Sequence, residues 1–107
     1  MPLDFHIAEG FDTRTWPSPV LRMEVAEHEA LFSGFTQGAY PGALRLLSDY
    51  YSDADFSGAL LQQLIRELGE FTSSSAYPPA ARRVAFQLLE IAGLAHSSGH
   101  VLRAVAD

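Results

Sequence analysis

Residues 78–105 read PPAARRVAFQLLEIAGLAHSSGHVLRAV. Within this run Ala81, Val84, Leu88, Ile91 and Ala95 recur at spacings of 3, 4, 3 and 4, which places them on one face of an α-helix. Arg82, Arg83, Gln87 and Glu90 fall mainly outside that stripe. Pro78-Pro79 opens the helix, where a missing N–H costs little. Ser98-Gly99 closes it, because glycine takes the left-handed conformation without a steric penalty. Val101-Leu102-Arg103-Ala104-Val105 follows, β-branched at both ends, and reads as a strand. A long amphipathic helix feeding a short strand predicts helices packed on a sheet, an α+β domain.

The N-terminus supplies the partners of that strand. Leu3, Phe5 and Ile7 alternate with Asp4, His6 and Ala8, and Leu21, Met23 and Val25 alternate with Arg22 and Glu24. Such period-two alternation predicts two half-buried strands. The turn-rich stretch from Gly10 to Pro19 makes them an antiparallel hairpin with a long loop. With the C-terminal strand returning to the hairpin, the sheet has three mainly antiparallel strands.

Three further helices lie between. One runs from about Ala26 to Phe32 and breaks near Gly34. A second opens at Tyr40-Pro41-Gly42, with Leu44, Leu47 and Tyr51 at 0, +3 and +7 and Arg45 and Asp49 as an exposed (i, i+4) pair. Ser52-Asp53-Ala54-Asp55 supplies turn and capping chemistry before a third. In this third helix Leu60, Leu61, Leu64, Ile65 and Leu68 make the buried face, with Gln62, Gln63, Arg66 and Glu67 largely opposite, and it ends around Gly69 to Phe71. Thr72 to Tyr77 is a polar loop. About four helices on a three-stranded sheet form one α+β domain over residues 1–107.

Composition narrows the chemistry. At 107 residues, 48% apolar and 19% charged, the chain suits one folded domain. Without cysteine it has no disulfide, no thiol catalysis and no cysteine-ligated zinc. All seven basic residues are arginine, which excludes a Schiff-base lysine, a P-loop lysine and a Ser-Lys pair. The net charge of −6 lies in residues 1–55, where nine acids face Arg14, Arg22 and Arg45, while the second half is balanced. Such a field repels phosphate backbones and attracts basic proteins, so a protein partner rather than a nucleic acid is expected. No apolar run approaches the ~20 residues of a membrane span. Neither is there a basic stretch followed by an apolar one at the start, so a cytoplasmic location is expected. An all-Arg, Ala-rich and Gly-rich composition is compatible with a GC-rich bacterial genome.

The candidate catalytic groups read more simply as structural ones. His28 stands among Glu24, Glu27 and Glu29, but Leu31 and Phe32 follow, so a His-Glu-x-x-His metal motif lacks its second histidine. A solvated, acidic helix start accounts for the cluster, since carboxylates favour a helix N-terminus. His96 and His100 are separated by Gly99, which ends the helix before both rings share a face; His96 then complements the last carbonyls. No serine lies in a Gly-x-Ser-x-Gly elbow. For Asp49, Asp53 and Asp55 as an acid/base pair, nothing in the sequence supplies a cleft flanked by sugar-binding aromatics. No catalytic, metal or cofactor site is expected, and the chain reads as a non-enzyme.

Leu46-Leu47-Ser48-Asp49-Tyr50-Tyr51-Ser52-Asp53-Ala54-Asp55-Phe56-Ser57 combines two tyrosines and three aspartates at a helix junction. A structural role accounts for it if Tyr51 fills the core, Asp53 or Asp55 caps a helix, and Asp49 pairs with Arg45. It also suits recognition, with tyrosine supplying contact area and aspartate charge complementarity. With Val25-Ala26-Glu27-His28-Glu29-Ala30-Leu31-Phe32 upstream and Val101 to Asp107 at the end, the layout resembles small bacterial immunity proteins of secreted or contact-delivered toxins. That resemblance implies an acidic, cytoplasmic, cofactor-free protein that blocks one toxin, and carries over no specific residue.

The expectation is therefore a binding module that inhibits a basic partner. Glu24, Glu27, Glu29, Asp49, Asp53 and Asp55 would steer association, and Tyr40 and Tyr50 would anchor it. The alternative is a homo-oligomeric structural or regulatory subunit, because Phe32, Phe35, Tyr40, Phe86 and Leu94 do not all fit one core stripe.

Overall fold

A computed structural model describes residues 3–8, 20–32, 42–47, 53–74 and 77–106. The first strand, β1 (Leu3–Ala8), pairs antiparallel with β2 (Leu21–Met23) in the register Leu3↔Met23 and Phe5↔Leu21. The last strand, β4 (Val101–Ala106), pairs with β1 on its other side, Leu3↔Ala106 through Ala8↔Val101. The paired N-terminal strands and the returning C-terminal strand thus stand, but Val25, expected third in the second alternation, instead opens the first helix and is exposed.

A fourth strand replaces part of the expected turn. Residues Ala54–Phe56 form β3, antiparallel to β4, giving a four-stranded sheet in the order β2-β1-β4-β3. Three residues between Asp53 and Ser57 carry little local strand signal, and aspartate is disfavoured in strands. The partner decides instead. Pairing with β4 turns Ala54 and Phe56 into the core, both buried, and leaves Asp55 outside. Burying Phe56 alone is worth about 1.5–3 kcal/mol, more than the local propensities oppose.

Among the described residues three helices of two or more turns lie on this sheet: α1 (Val25–Phe32), α3 (Gly58–Ser73) and α4 (Pro79–Ser97), with a single turn, α2 (Gly42–Arg45), before β3. Among the described residues the second predicted helix is this one turn. Its Pro41, Asp49 and Tyr51, like the Gly10–Pro19 loop and Gly34, lie outside the described residues. The strand β3 passes into α3 almost directly, and Gly58 makes the corner at φ +52°. The third helix runs past its expected end at Gly69–Phe71 to Ser73. Phe71 continues the buried row Leu61, Leu64 and Leu68, and its burial outweighs the ~1 kcal/mol that an interior glycine costs a helix.

In α4 four of the six buried residues are alanines, which lets its neighbours approach closely. Its C-terminus is a Schellman motif: Gly99 (φ +71°) donates its N–H to His96 O at 3.1 Å, and His100 donates to Ala95 O at 2.8 Å. Both bonds satisfy last-turn carbonyls. The His96 ring does not serve them. It turns to α3, where Gln62 Nε2 lies 3.1 Å from His96 Nε2, correcting the expected capping role.

The inner face of the sheet presents Leu3, Phe5, Phe56, Leu102 and Ala104 to the helices. The opposite face carries Asp4, His6, Arg22, Asp55 and Arg103, which the register aligns in rows. Arg22 reads one such row by donating from Nε and Nη2 to the two Asp4 carboxylate oxygens, at 2.9 and 3.3 Å.

Candidate interaction surface

The acids proposed for partner binding fall in two places. Glu24 is the last residue before α1 and its carbonyl accepts from His28 N–H at 3.0 Å. Three residues on, Glu27 Oε1 accepts the Glu24 backbone N–H at 3.1 Å, half of a capping box. Glu27 is accordingly half-buried and committed to the helix start, while Glu24 and Glu29 are exposed. Glu24 and Glu27 also lie where the helix dipole favours negative charge.

The second place is β3. Asp53 and Asp55 were candidates for capping α3; instead they face β4. Asp55 Oδ1 lies 2.7 Å from Arg103 Nε, an ion pair without the alignment of a hydrogen bond. Asp53 Oδ2 lies 3.8 Å from Arg103 Nη2, and Asp53 Oδ1 accepts the Ala106 N–H at 2.8 Å. The start of α3 receives no side-chain cap. Both aspartates remain about half exposed, at 47% and 41%, but Arg103 offsets part of their charge.

These two acidic places flank opposite edges of the sheet. Glu24 follows β2, while Asp53 precedes β3 and Asp55 lies in it, three interstrand spacings away, or about 14 Å. Tyr40, Asp49 and Tyr50 lie outside the described residues.

His28 is not a solvated member of the first cluster. It is 7% exposed, its ring 4.7 Å from that of Phe32, and its Nε2 lies 2.8 Å from Leu47 O. A carbonyl only accepts, so Nε2 carries the proton and donates. The histidine ties α1 to the segment after α2.

Glu67, expected on the outer face of α3, is buried at 6%. Its Oε2 accepts from Gln63 Nε2 at 2.7 Å and from the Ala43 N–H at 3.3 Å. The signal was present in the spacing, since residue 67 is three after Leu64 and four before Phe71, on the buried row.

One feature escaped the sequence. Between α1 and α4 runs a groove of about 290 Å³, walled by Ala26, Ala30, Ala80 and Val84 with Glu27, Arg83 and Gln87. Its small apolar walls come from two helices far apart in the chain, so no local pattern announces it. It has room for an apolar side chain, with Glu27 and Arg83 supplying charge of both signs.

Among the described residues no group of three or more His, Asp or Glu is placed to hold a metal ion, and no helix is long and apolar enough to cross a membrane. No protein-family model, no curated protein and no solved structure matches the chain.

Proposed function

We propose that the chain is a non-enzymatic protein-binding module that inhibits a basic protein partner, in the manner of a bacterial immunity protein. The observation that carries this reading is the concentration of the whole −6 charge in residues 1–55, with Glu24 and Glu29 exposed beside the first helix. A net excess of one sign raises the encounter rate with the opposite sign. Glu24 and Glu29 are the stronger steering groups, because Glu27 serves the helix start and Arg103 offsets Asp53 and Asp55. Tyr40 and Tyr50 are the anchors of this reading. A stable complex buries about 800 Å² on each partner.

The test is capture on the immobilised chain at low and high salt, with a Glu24→Arg/Glu29→Arg variant beside the natural sequence. One basic protein is expected at about equal stoichiometry, with an association rate that falls on adding salt and drops about tenfold in the variant. Capture of nothing, or of a protein whose binding ignores both changes, overturns the reading.

A further inference from the structure

The outward face of α4 carries Pro79, Arg83, Phe86, Glu90 and Leu94 at spacings of 4, 3, 4 and 4. All five are exposed. Phe86 at 60% and Leu94 at 57% are the most exposed large apolar side chains among the described residues. The opposite face of the same helix is spent on the core, so this second stripe lies outside the buried core, with Arg83 at the rim of the α1–α4 groove. Arg83 and Glu90 form no ion pair with a described residue. Nor can they meet each other, being seven residues or about 10.5 Å apart along the helix.

We propose that this stripe binds a second copy of the chain, two α4 helices packing antiparallel about a two-fold axis beside Phe86 and Gln87. In such an isologous contact residue i meets j and j meets i. Placing the axis there sets Phe86 against its own copy. It sets Arg83 against Glu90 of the second copy, twice, and Pro79 against Leu94, twice. The stripe is thus self-complementary along its length: apolar, ion pair, aromatic, ion pair, apolar. Steps of 3 and 4 are those at which two helices mesh at a shallow crossing angle.

The charge pattern selects this occupant over a basic helix. One arginine and one glutamate leave the stripe neutral, so it lacks the negative potential that would recruit a cation, and Arg83 repels one. Self-association is therefore independent of the inhibitor reading and uses a different surface. A single pair of helices of about 28 Å falls below the standard interface of about 800 Å² per partner. The dimer is accordingly weak and in exchange with the monomer.

Sedimentation equilibrium on the full chain, from about 10 μM to about 1 mM, matches that affinity range. The mean mass is expected to rise from 11.7 kDa towards twice that value. Phe86→Asp weakens the association at least about tenfold. Arg83→Glu and Glu90→Arg each weaken it, and the two combined restore it to within about threefold of the natural chain. Arg66→Glu, on the exposed side of α3, alters net charge as Arg83→Glu does and leaves the dimer intact. Far-UV circular dichroism confirms that each variant is folded. A monomer at every concentration overturns the proposal. So does a dimer indifferent to Phe86→Asp, or a charge-swapped double no better than its singles.

Discussion

His28 and Glu67 both stand among polar neighbours in the sequence, and both are interior groups with backbone partners. His28 donates to the Leu47 carbonyl and lies against Phe32; Glu67 accepts from Ala43 N–H. Together they bind the segment 42–47 to α1 on one side and α3 on the other. Polar groups buried this way specify position as much as they stabilise, because an unmet partner is costly. His28→Phe keeps an aromatic ring beside Phe32 but leaves Leu47 O without its donor. The expected loss is about 1–3 kcal/mol, read as a lower urea midpoint at unchanged slope. A midpoint equal to that of the natural chain would show that the bond contributes nothing net.

At the scale of elements, what could be read locally depended on length. The long helix α4 carries its pattern through five turns, so periodicity alone placed it. The strands β1 and β4 have six residues each, long enough for alternation to show in β1 and for the β-branched ends of Val101–Val105 to mark β4. The strand β3 has three, and its identity rests on β4, whose sequence lies some fifty residues away. The acids of the candidate site show the same limit: the spacing places Glu24, Glu27 and Glu29 at a helix start, whereas the bond that commits Glu27 to Glu24 N–H and the Arg103 partner of Asp53 and Asp55 require the structure.

The corner between β3 and α3 yields a paired prediction. Gly58 holds φ +52°, and an added Cβ there meets no atom within 4 Å. The cost of Gly58→Ala is therefore backbone strain alone, about 1–2 kcal/mol. Gly69 lies inside α3, also with nothing within 4 Å of an added Cβ, where alanine is the better helix former. Gly69→Ala is expected to stabilise by about 0.5–1 kcal/mol. Thermal unfolding should separate the two variants by about 6–24 °C, at 4–8 °C per kcal/mol. Equal melting temperatures would contradict the assigned conformation of Gly58.

For the whole molecule the decisive act is closure. The two central strands of the sheet are β1 and β4, which come from opposite ends of the described chain, and Leu3 pairs with Ala106. Every other strand hangs on this pair, β2 on β1 and β3 on β4. Removing residues 99–107 deletes the Schellman glycine along with β4, strips β3 of its partner, and uncovers the inner side chains of β1. Leu102 alone, fully buried, is worth about 1.5–3 kcal/mol. The lost ladder and the Ala104 contact add to that against a total stability of about 5–15 kcal/mol. The truncated chain is expected to show no cooperative thermal transition, while isolated helical signal from α3 and α4 persists in part. A sharp transition in the truncated chain would mean that helices α1, α3 and α4 form a core without the sheet. The acidic half and the α4 stripe would then be carried by a helical unit to which the strands are only appended.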